Sequence, residues 1–442
     1  MPQATFHFPR GFLWGTATAA HQVEGNNTNN NFWDWEQQPG RIVNGDKSAL
    51  ACDWWGGRWR EDFDRAAEGG QNAHRFSIEW SRIQPTPDRW DEDALDRYRE
   101  MLRGLHARGL TPMVTLHHFT EPLWLAEMGG WENEAIVGYF ETFVRKAVEA
   151  LREFCSLWIT LNEPNVRAAY GYLFPAFPPG KSNILACFRV MTNMALAHAA
   201  AYRVIHALQP TARVGMAVMW RGFIPHKAWF PPDGWVAGLF SSLFNEFFPT
   251  AASRGVLRFP FWTKRVPHVK GTQDFLGVNY YTRDRVAFDL FKPGEMFARR
   301  FFAAGADLSD TDWIANDPEG LFAALKWGKR FELPMIITEN GVEDADDHLR
   351  PRYLAQHIHQ LWRAVNYNWL IKGYFHWTLV DNFEWDRGWK QRFGLWELDP
   401  ATQARRKRPS ADLYADICRE NGLSSEMVQR YAPEVLEKIF PR

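Results

Sequence analysis

The fold is decided by two stretches, Leu157-Trp158-Ile159-Thr160-Leu161-Asn162-Glu163-Pro164 and Met335-Ile336-Ile337-Thr338-Glu339-Asn340-Gly341. In each stretch a short apolar run, typical of a buried strand, ends at a glutamate. A carboxylate in that position points into the mouth of a sheet or barrel instead of into bulk water. The two stretches therefore predict two carboxyl groups at the same end of one parallel sheet.

Strand-like apolar runs recur along the whole chain. Each is four to six residues long and is followed by polar or turn-forming residues, as expected for strands that are buried on both faces. The eight runs are Phe12–Thr16, His74–Ile78, Pro112–Leu116, Leu157–Leu161, Val214–Met219, Phe275–Tyr280, Met335–Thr338 and Gly373–Trp377.

Amphipathic helical segments lie between these runs. Apolar residues fall three and four apart in Asp93–Arg108, Ile136–Glu153, Leu185–Leu208 and Leu354–Asn366. Eight strands alternating with helices predict a single (β/α)8 barrel, here a catalytic domain spanning residues 1–442 with a short helical extension from about residue 420.

Two interruptions of this pattern, Trp220–Phe259 and Arg283–Trp313, are rich in Phe, Pro and Gly. Since they have no domain-sized core of their own, we expect them to be long loops over one face of the barrel.

Composition excludes several classes of function. The chain has 442 residues and a formal net charge of −1, which predicts neither nucleic-acid binding nor attraction to an anionic membrane. No stretch approaches the roughly 18 apolar residues of a membrane span. The N-terminal residues lack the pattern of a secretory signal, so we expect a cytoplasmic protein. Four scattered cysteines and no metal-binding His pattern predict reduced thiols, no metal site and no cofactor.

Polar and aromatic side chains follow seven of the eight predicted strands. Barrel enzymes bind and react at these strand ends, so the side chains should meet in one pocket suited to a polyhydroxylated ligand. Two carboxyl groups at its centre are what hydrolysis of a glycosidic bond requires. The strings are His21-Gln22-Val23-Glu24-Gly25, Glu79-Trp80-Ser81-Arg82, His117-His118-Phe119, Asn162-Glu163, Asn279-Tyr280-Tyr281, Glu339, and Trp377 with Asp381-Asn382-Phe383-Glu384-Trp385.

In this order the strings resemble the family 1 glycoside hydrolases, the β-glucosidase and β-galactosidase family, from Phe8 to about Tyr414. The resemblance implies that Glu163 is the acid/base and Glu339 the nucleophile. It also implies that Arg75 and Asn279 steady the nucleophile. The residues that match the family's sugar-binding set are Gln22, His118, Asn162, Tyr281, Trp377, Glu384 and Trp385.

The sequence departs from the family pattern on the side that would hold the leaving group. Phe119 stands where many members have Trp, Glu121 follows it where an uncharged residue is common, and Leu173–Gly180 reads Leu-Phe-Pro-Ala-Phe-Pro-Pro-Gly. Strand alternation allows only one of His117 and His118 to face inward, and the resemblance selects His118. Because of the departures at Phe119, Glu121 and Leu173–Gly180, the sequence does not predict which leaving group is preferred.

The expected function is that of a retaining exo-β-glycosidase, which removes terminal β-D-glucosyl, and also β-D-galactosyl or β-D-fucosyl, residues from small β-glycosides or oligosaccharides. A 6-phospho-β-glycosidase would need a phosphate-binding loop after the eighth strand, where Glu384 stands. A catalytically silent sugar-binding protein would be expected to have lost one acid. Inverting hydrolysis would need the two carboxyl groups farther apart. The sequence carries no signal for an oligomeric state.

Overall fold

A closed barrel of eight parallel strands forms the centre of the computed structural model, which describes residues 4–441. The strands follow one another around the barrel in chain order, and the last pairs with the first. All eight predicted strands are present, so the predicted (β/α)8 fold is confirmed. The strands are β1 Leu13–Ala17, β2 Ala73–Ser77, β3 Thr111–His117, β4 Leu157–Asn162, β5 Arg213–Met219, β6 Phe275–Asn279, β7 Met335–Asn340 and β8 Ile371–Trp377.

An outer helix follows each barrel strand, and local signals mark where several of these helices begin. The Asn183 side chain accepts hydrogen bonds from the first free N–H groups of the fourth helix, and prolines occupy the first turns of the last three. The helices are α1 Trp59–Glu68, α2 Glu92–His106, α3 Ile136–Leu151, α4 Ile184–Leu208, α5 Phe247–Arg254, α6 Pro318–Gly328, α7 Arg350–Asn366 and α8 Pro409–Glu420.

Shorter elements fill the connections between strand ends and outer helices. Two antiparallel pairs join Val256–Arg258 to Thr263–Arg265 and Trp396–Leu398 to Arg405–Lys407. The short helices are Ala20–Val23, Asn31–Gln37, Trp80–Ile83, Leu123–Glu127, Pro164–Tyr172, Pro231–Ser241 and the π-helix Ser242–Glu246.

Both long interruptions contain ordered elements, which the prediction of long loops did not include. The first contains the strand Gly222–Pro225 as well as three helical elements, one of which is α5. The strand Arg283–Phe288 lies between Gly222–Pro225 and Ala298–Phe301 in a three-stranded sheet. Gly222 pairs with Arg283, about 60 residues later in the sequence, and alternation over four residues is too short to reveal such pairing.

Apolar side chains form one layer inside the barrel and a larger one between barrel and helices. Met113, Ile159 and Phe375 belong to the inner layer. Gly15 leaves room for the Phe375 ring, because a Cβ at Gly15 would lie 2.7 Å from it. Trp158 faces the other way and packs with the helices. The inner layer ends below the polar strand ends.

Irregularities in β4 and β7 turn the two key strand ends inward. Ile159 faces the barrel interior and Leu161 the helix layer, and the pairing register shifts between Ile159 and Asn162. The register of β7 shifts likewise before Asn340. Since a one-residue slip moves a side chain to the other face, these shifts place Asn162 and Glu339 inside the barrel mouth.

The helix α4 satisfies the length and hydropathy criteria for a membrane-spanning helix over its 25 residues. The prediction that no apolar stretch approaches the length of a membrane span was therefore wrong. In the structure 72% of the most apolar window is buried inside the protein. Packing of α4 against α3 and the helix Pro164–Tyr172 accounts for its apolar composition.

The two ends of the chain pair with each other near the start of β1. Thr5–His7 forms an antiparallel pair with Gly422–Ser424, and the helices Ser425–Tyr431 and Leu436–Ile439 follow. The Phe6 ring stacks on Trp362 of α7, with centroids 4.1 Å apart, and on Phe440 at 4.4 Å. The extension is thus packed at the end of the barrel opposite Asn162 and Glu339.

We expect Phe6→Ala to lower the free energy of unfolding by about 2 kcal/mol, because it removes both ring contacts from a half-buried site. Urea unfolding of the wild type, Phe6→Ala and the milder Phe6→Leu variant measures the effect. The leucine variant should lose less, since it keeps apolar volume against Trp362 and Phe440. Equal stability of all three proteins would contradict this account.

Candidate active site

A cavity at the C-terminal ends of the barrel strands contains both predicted acids. We call it the barrel-end cavity; its empty volume, including the part open to solvent, is about 830 Å³. Most of the predicted site residues line it directly, and the other four (Gln22, Arg75, Asn162 and Asn279) lie behind that lining and hydrogen-bond to it. The lining residues are His118, Phe119, Glu163, Val166, Tyr170, Ala176, Phe177, Met219, Arg221, Tyr281, Trp313, Ile314, Glu339, Trp377, Glu384, Trp385, Asp386, Arg387, Gln391 and Phe393.

The Glu339 carboxylate is held by two donors at the end of β7. An Arg75 Nη1–H donates to Glu339 Oε1 at 2.7 Å, and the Tyr281 hydroxyl donates to Oε2 at 2.6 Å. Both donors favour the ionised carboxylate, because a protonated carboxyl offers a poorer acceptor. Glu339 is therefore fixed in position with one oxygen bound on each side.

Arg75 is fully buried inside the barrel and serves several strands at once. Its Nε–H donates to Thr115 Oγ1 at 3.1 Å, and Nη1 also donates to the Thr338 carbonyl at 2.9 Å. Its Nη2 donates to Asn162 Oδ1 at 2.5 Å. One guanidinium thus links the ends of β2, β3, β4 and β7. The contacts that pair Arg75 within the barrel are therefore the same contacts that hold Glu339 in place.

Glu163 lies just beyond β4, where the chain turns into the helix Pro164–Tyr172. Its backbone is left-handed, with φ at 43°, and its N–H donates to the Ala217 carbonyl at 2.7 Å. The side chain accepts one hydrogen bond, from Asn279 Nδ2 at 2.9 Å, and receives no guanidinium. Strain at such a position persists only where surrounding contacts hold it, and here it aims the carboxyl into the cavity.

The two carboxyl groups have opposed electrostatic surroundings. Burial and then the charge of Glu339 raise the pKa of Glu163 well above its usual range. Burial also raises the pKa of Glu339, but the Arg75 guanidinium and the Tyr281 hydroxyl oppose that shift. The proton shared by such a pair therefore resides on Glu163 while Glu339 stays ionised.

Asn162 and His118 form a chain whose hydrogen positions follow from their partners. Asn162 Oδ1 accepts from both Arg75 and Asn279, so its Nδ2 must donate to His118 Nε2, at 2.9 Å. The His118 proton is then on Nδ1, which is buried and has no partner within the protein. Burial lowers the pKa of His118 well below its usual range, so the ring is neutral. It offers a donor to a ligand in the cavity.

Gln22 and Glu384 form the other end of the polar lining. Gln22 Nε2 donates to Glu384 Oε2 at 3.0 Å and to the Phe383 carbonyl at 2.8 Å, while its Oε1 has no partner. Burial is the main cause that raises the pKa of Glu384 to about 8, and the charge of Glu339 adds to it. Burial therefore favours the neutral form of Glu384 well above the pH at which an exposed glutamate ionises.

Aromatic rings complete the wall between the polar groups. Trp385 is stacked with His118, centroids 5.8 Å apart, and lies edge-on to Phe119 at 4.9 Å. Trp377 at the end of β8 is 6.0 Å from the His118 ring. Flat rings beside convergent donors and acceptors match the alternating apolar faces and hydroxyl edges of a sugar.

Sequence reasoning missed part of the lining and misplaced one residue. Tyr170, Trp313 and Gln391 line the cavity, but nothing beyond their place in long connections indicated it. Arg387 follows Glu384 closely in sequence and was interpreted as a solvated loop charge, but it lines the cavity as well. Glu121, expected on the leaving-group side, lies outside this cavity, where it accepts a hydrogen bond from the buried Arg167 at 2.5 Å. The lining by Phe119, Ala176 and Phe177 agrees with the expected position of the leaving-group side. Within residues 4–441 no three metal-binding side chains are grouped to hold an ion.

A parallel (β/α)8 barrel with two buried, differently stabilised carboxyl groups at its strand ends is the arrangement expected of a glycoside hydrolase. The sequence profile of glycosyl hydrolase family 1 matches residues 4–423. The chain therefore belongs to glycosyl hydrolase family 1.

Relatives span nearly the same length. The chain is 35% identical to beta-glucosidase A of Thermotoga maritima, with 94% of this chain and 98% of the relative covered. It is 30% identical to the cytosolic beta-glucosidase of Homo sapiens, covering 95% and 100%. A solved structure of the T. maritima beta-glucosidase in complex with galacto-hydroximolactam superimposes with a TM-score of 0.87 at 31% identity, covering 94% and 99%.

Glu384 makes the stability of the empty protein depend on pH. Its pKa is raised from 4.5 to about 8 on folding, so the folded state binds more protons between those values and stability falls as the pH rises through them. We expect the Glu384→Gln variant to lose less free energy of unfolding than the wild type as the pH rises. The difference should be on the order of 2 kcal/mol after allowance for solvent screening.

Urea unfolding of wild type and Glu384→Gln at pH 5 and pH 9 checks the effect. The two proteins should differ little at pH 5, and the variant should be the more stable at pH 9. Parallel stability curves for the two proteins would exclude the raised pKa.

Proposed function

We propose that this chain is a retaining exo-β-glycosidase that hydrolyses terminal non-reducing β-D-glucosyl residues of small β-glycosides and oligosaccharides without a cofactor. The observation that carries the proposal is the asymmetry of the two buried carboxyl groups. Glu339 is bound by a guanidinium and a phenol, whereas Glu163 is bound by one amide. One carboxyl is thus suited to attack and the other to donate a proton.

In the first step Glu339 attacks the anomeric carbon while Glu163 protonates the departing oxygen. The sugar becomes an ester of Glu339, and the negative charge of that carboxylate disappears. Loss of this charge removes one of the causes that raise the pKa of Glu163. Glu163 can then take a proton from water, which attacks the ester and restores Glu339.

The groups without partners in the empty cavity support recognition of a sugar in one orientation. His118 Nδ1–H is a free donor and Gln22 Oε1 a free acceptor, and Glu384 stands beside Gln22. A sugar that supplied the missing partners would satisfy groups that are costly to leave buried alone. Because a carboxyl can accept from either an equatorial or an axial hydroxyl, we propose that β-D-galactosyl and β-D-fucosyl residues are also removed.

The alternatives are less well supported by the same residues. A catalytically silent sugar-binding protein would not need Arg75 and Tyr281 to hold Glu339 ionised. Nor would it need a raised pKa at Glu163. Inversion requires room for a water between the general base and the anomeric carbon, so the two carboxyl groups would lie farther apart than in a retaining pair. The charge of Glu339 acts on Glu163 strongly enough to be the second cause of its raised pKa, which favours the shorter separation.

We also propose that residues 1–442 act as one catalytic unit in the cytoplasm. The pairing of Thr5–His7 with Gly422–Ser424 supports a single unit. The relative named as cytosolic and four buried, unlinked cysteines support the compartment.

Azide rescue tests the two roles. Glu339→Ala should lose several powers of ten in kcat, and azide should restore turnover as an α-glycosyl azide. Glu163→Ala should still form the ester from activated aryl glucosides, and azide should yield the β-glycosyl azide. Product configuration is read by NMR, with Glu397→Ala, a change at a half-buried glutamate that does not line the cavity, as control. An α-azide from Glu163→Ala would reverse the assignment.

Discrimination against a 6-phosphorylated sugar follows from Glu384. Phosphate on O6 would place like charges together once Glu384 is ionised, so the preference for the unphosphorylated β-glucoside should grow as the pH rises through about 8. We expect the ratio of kcat/KM values for the two substrates to reach about 100-fold or more above that pH.

Two variants separate the charges near O6. Glu384→Ser should lower the ratio of kcat/KM for the unphosphorylated β-glucoside to kcat/KM for its 6-phosphate, and it should remove the pH dependence of that ratio. Arg387 lines the same cavity and is stacked over Trp313 at 4.4 Å, so it offers a compensating cation, and Arg387→Ala should widen the ratio. Faster turnover of the phosphate ester by the wild type would establish a 6-phospho-β-glycosidase.

A further inference from the structure

Exposed apolar side chains are concentrated in one part of the chain. Of the sixteen large apolar side chains that are exposed among residues 4–441, ten lie between residues 229 and 308, which is less than a fifth of the described chain. Scattered exposed apolar residues need no explanation, but a group of this size marks a surface that contacts something else. We call its central part the aromatic edge, which consists of Trp229, Phe230, Trp235, Phe288, Leu290, Phe291 and Phe297.

The aromatic edge belongs to the helix Pro231–Ser241 and the three-stranded sheet beside it. Phe240 of the helix packs with Val286 of the sheet in a small apolar core that is separate from the barrel layers. The one charged residue of the helix, Asp233, is buried, so the outer face of the helix carries Trp235, which is 73% exposed, and no charge. A helix that covers a sheet normally shows charged residues to water, and this helix does not.

Hydrogen bonds hold the members of the aromatic edge together at one end of the sheet. The Asp233 carboxylate accepts from the backbone N–H groups of Lys227, at 2.9 Å, and of Phe288, at 2.8 Å. The Asp289 N–H donates to the Phe297 carbonyl at 2.8 Å. The segment before the helix and both ends of the turn after Phe288 are therefore fixed side by side, so the apolar side chains that they carry form one surface.

Positive charge is concentrated in the same part of the chain. Residues 221–301 contain twelve lysines and arginines but six aspartates and glutamates, a formal net charge of +6, whereas the whole chain carries −1. Within residues 221–301 the only exposed acid, Glu295, accepts a hydrogen bond from Lys292 at 2.7 Å. The eight exposed cations are Lys227, Arg254, Arg258, Lys264, Arg265, Lys270, Arg299 and Arg300. The net charge of the chain, which predicts no attraction to an anionic membrane, therefore conceals a local excess of positive charge.

Some of these cations lie directly beside aromatic rings. Lys227 Nζ is 5.6 Å from the centre of the Trp229 ring, and the Arg299 guanidinium is 5.6 Å from the centre of the Phe301 ring. Exposed Trp and Phe side chains flanked by Lys and Arg are the composition of protein surfaces that lie at the interface of a bilayer with water. The charge and the apolar side chains therefore suit the same kind of partner.

We propose that the aromatic edge and the cations around it dock the protein reversibly onto the surface of an anionic lipid bilayer. The rings enter the headgroup region, and each nearby Lys or Arg gains from the negative surface potential. A second copy of the chain fits less well, because it would bring a second excess of positive charge against the first. Nucleic acid would use the cations and the rings but would leave the aliphatic Leu290 without an apolar partner.

The orientation of the docked protein follows from the topology. Gly222–Pro225 follows β5 and Arg283–Phe288 follows β6, so the sheet that carries the aromatic edge leaves the barrel at the end where Glu163 and Glu339 lie. Docking therefore brings the barrel-end cavity near the bilayer. The proposal concerns binding alone, so it stands or fails separately from the proposed function.

Co-sedimentation with lipid vesicles tests the docking. The wild type should bind vesicles of phosphatidylcholine and phosphatidylserine, mixed about 2:1, about tenfold or more tightly than vesicles of phosphatidylcholine alone. Raising the NaCl concentration from about 0.05 M to about 0.5 M should weaken binding to the mixed vesicles, because salt screens the charges. Absence of binding to the mixed vesicles at low salt, or equal binding to the two kinds of vesicle, would overturn the inference.

Paired substitutions separate the contributions of the rings and of the charges. Trp235→Ser combined with Phe291→Ser, at residues 73% and 91% exposed, should weaken binding to the mixed vesicles about tenfold or more, because two rings that enter the headgroup region are lost. Lys227→Glu combined with Arg299→Glu should lower binding to the mixed vesicles to the level of the neutral ones, because the attraction to phosphatidylserine is lost.

A matched control changes exposed apolar residues elsewhere. Tyr367 and Leu370 are 62% and 56% exposed between α7 and β8, at the opposite end of the barrel, so Tyr367→Ser combined with Leu370→Ser should bind the mixed vesicles as the wild type does. Thermal unfolding establishes that each variant is folded. Wild-type binding by the folded Trp235→Ser, Phe291→Ser protein, or an equal loss in the control, would overturn the inference.

Two further measurements on the same proteins address the other occupants. In sedimentation velocity without lipid, a wild-type dimer that Trp235→Ser with Phe291→Ser converts to a monomer would overturn the inference and assign the aromatic edge to self-association. Tighter binding of a single-stranded DNA oligonucleotide than of the mixed vesicles at the same salt concentration, lost in Lys227→Glu with Arg299→Glu, would overturn it in favour of nucleic acid. A wild-type monomer that binds the mixed vesicles more tightly than the oligonucleotide supports docking on a bilayer.

Discussion

The buried guanidinium of Arg75 is the constraint on which the site depends. A charge inside a barrel is tolerated when it is hydrogen-bonded and a counter-charge lies beside it. Glu339 supplies the counter-charge, and Thr115, Thr338 and Asn162 accept the remaining hydrogen bonds. The ends of four strands are therefore fixed relative to one another by one side chain, and the nucleophile proposed here is part of the same arrangement.

This arrangement also explains the difference between the two acids. Arg75 has no contact with the Glu163 carboxyl, which instead receives a neutral amide and feels the charge of Glu339. Two residues of the same type thereby acquire different protonation. The strained backbone at Glu163 and the irregularities in β4 and β7 are the local distortions that bring both groups to one cavity.

Much of this could be predicted from sequence, and the reasons are local. Strands buried on both faces are visible as apolar runs, and β4 shows its acid because Asn162-Glu163-Pro164 follows at once. The sheet that joins Gly222–Pro225 to Arg283–Phe288 was not predictable in this way, because its strands are short and pair across a distance in sequence. Nor was the apolar cavity between α4, the helix Pro164–Tyr172 and the helices of the first long interruption, because its walls come from segments that are distant in sequence.

The pairing of Thr5–His7 with Gly422–Ser424 has a consequence for how the protein is made. A ribosome releases the first strand long before its partner exists, since the two are separated by more than 400 residues. Barrel strand β1 has the same relation to β8, which closes the ring. During synthesis the N-terminal segments therefore remain in an unclosed sheet, and its exposed edge can form wrong pairings until about the last sixth of the chain emerges.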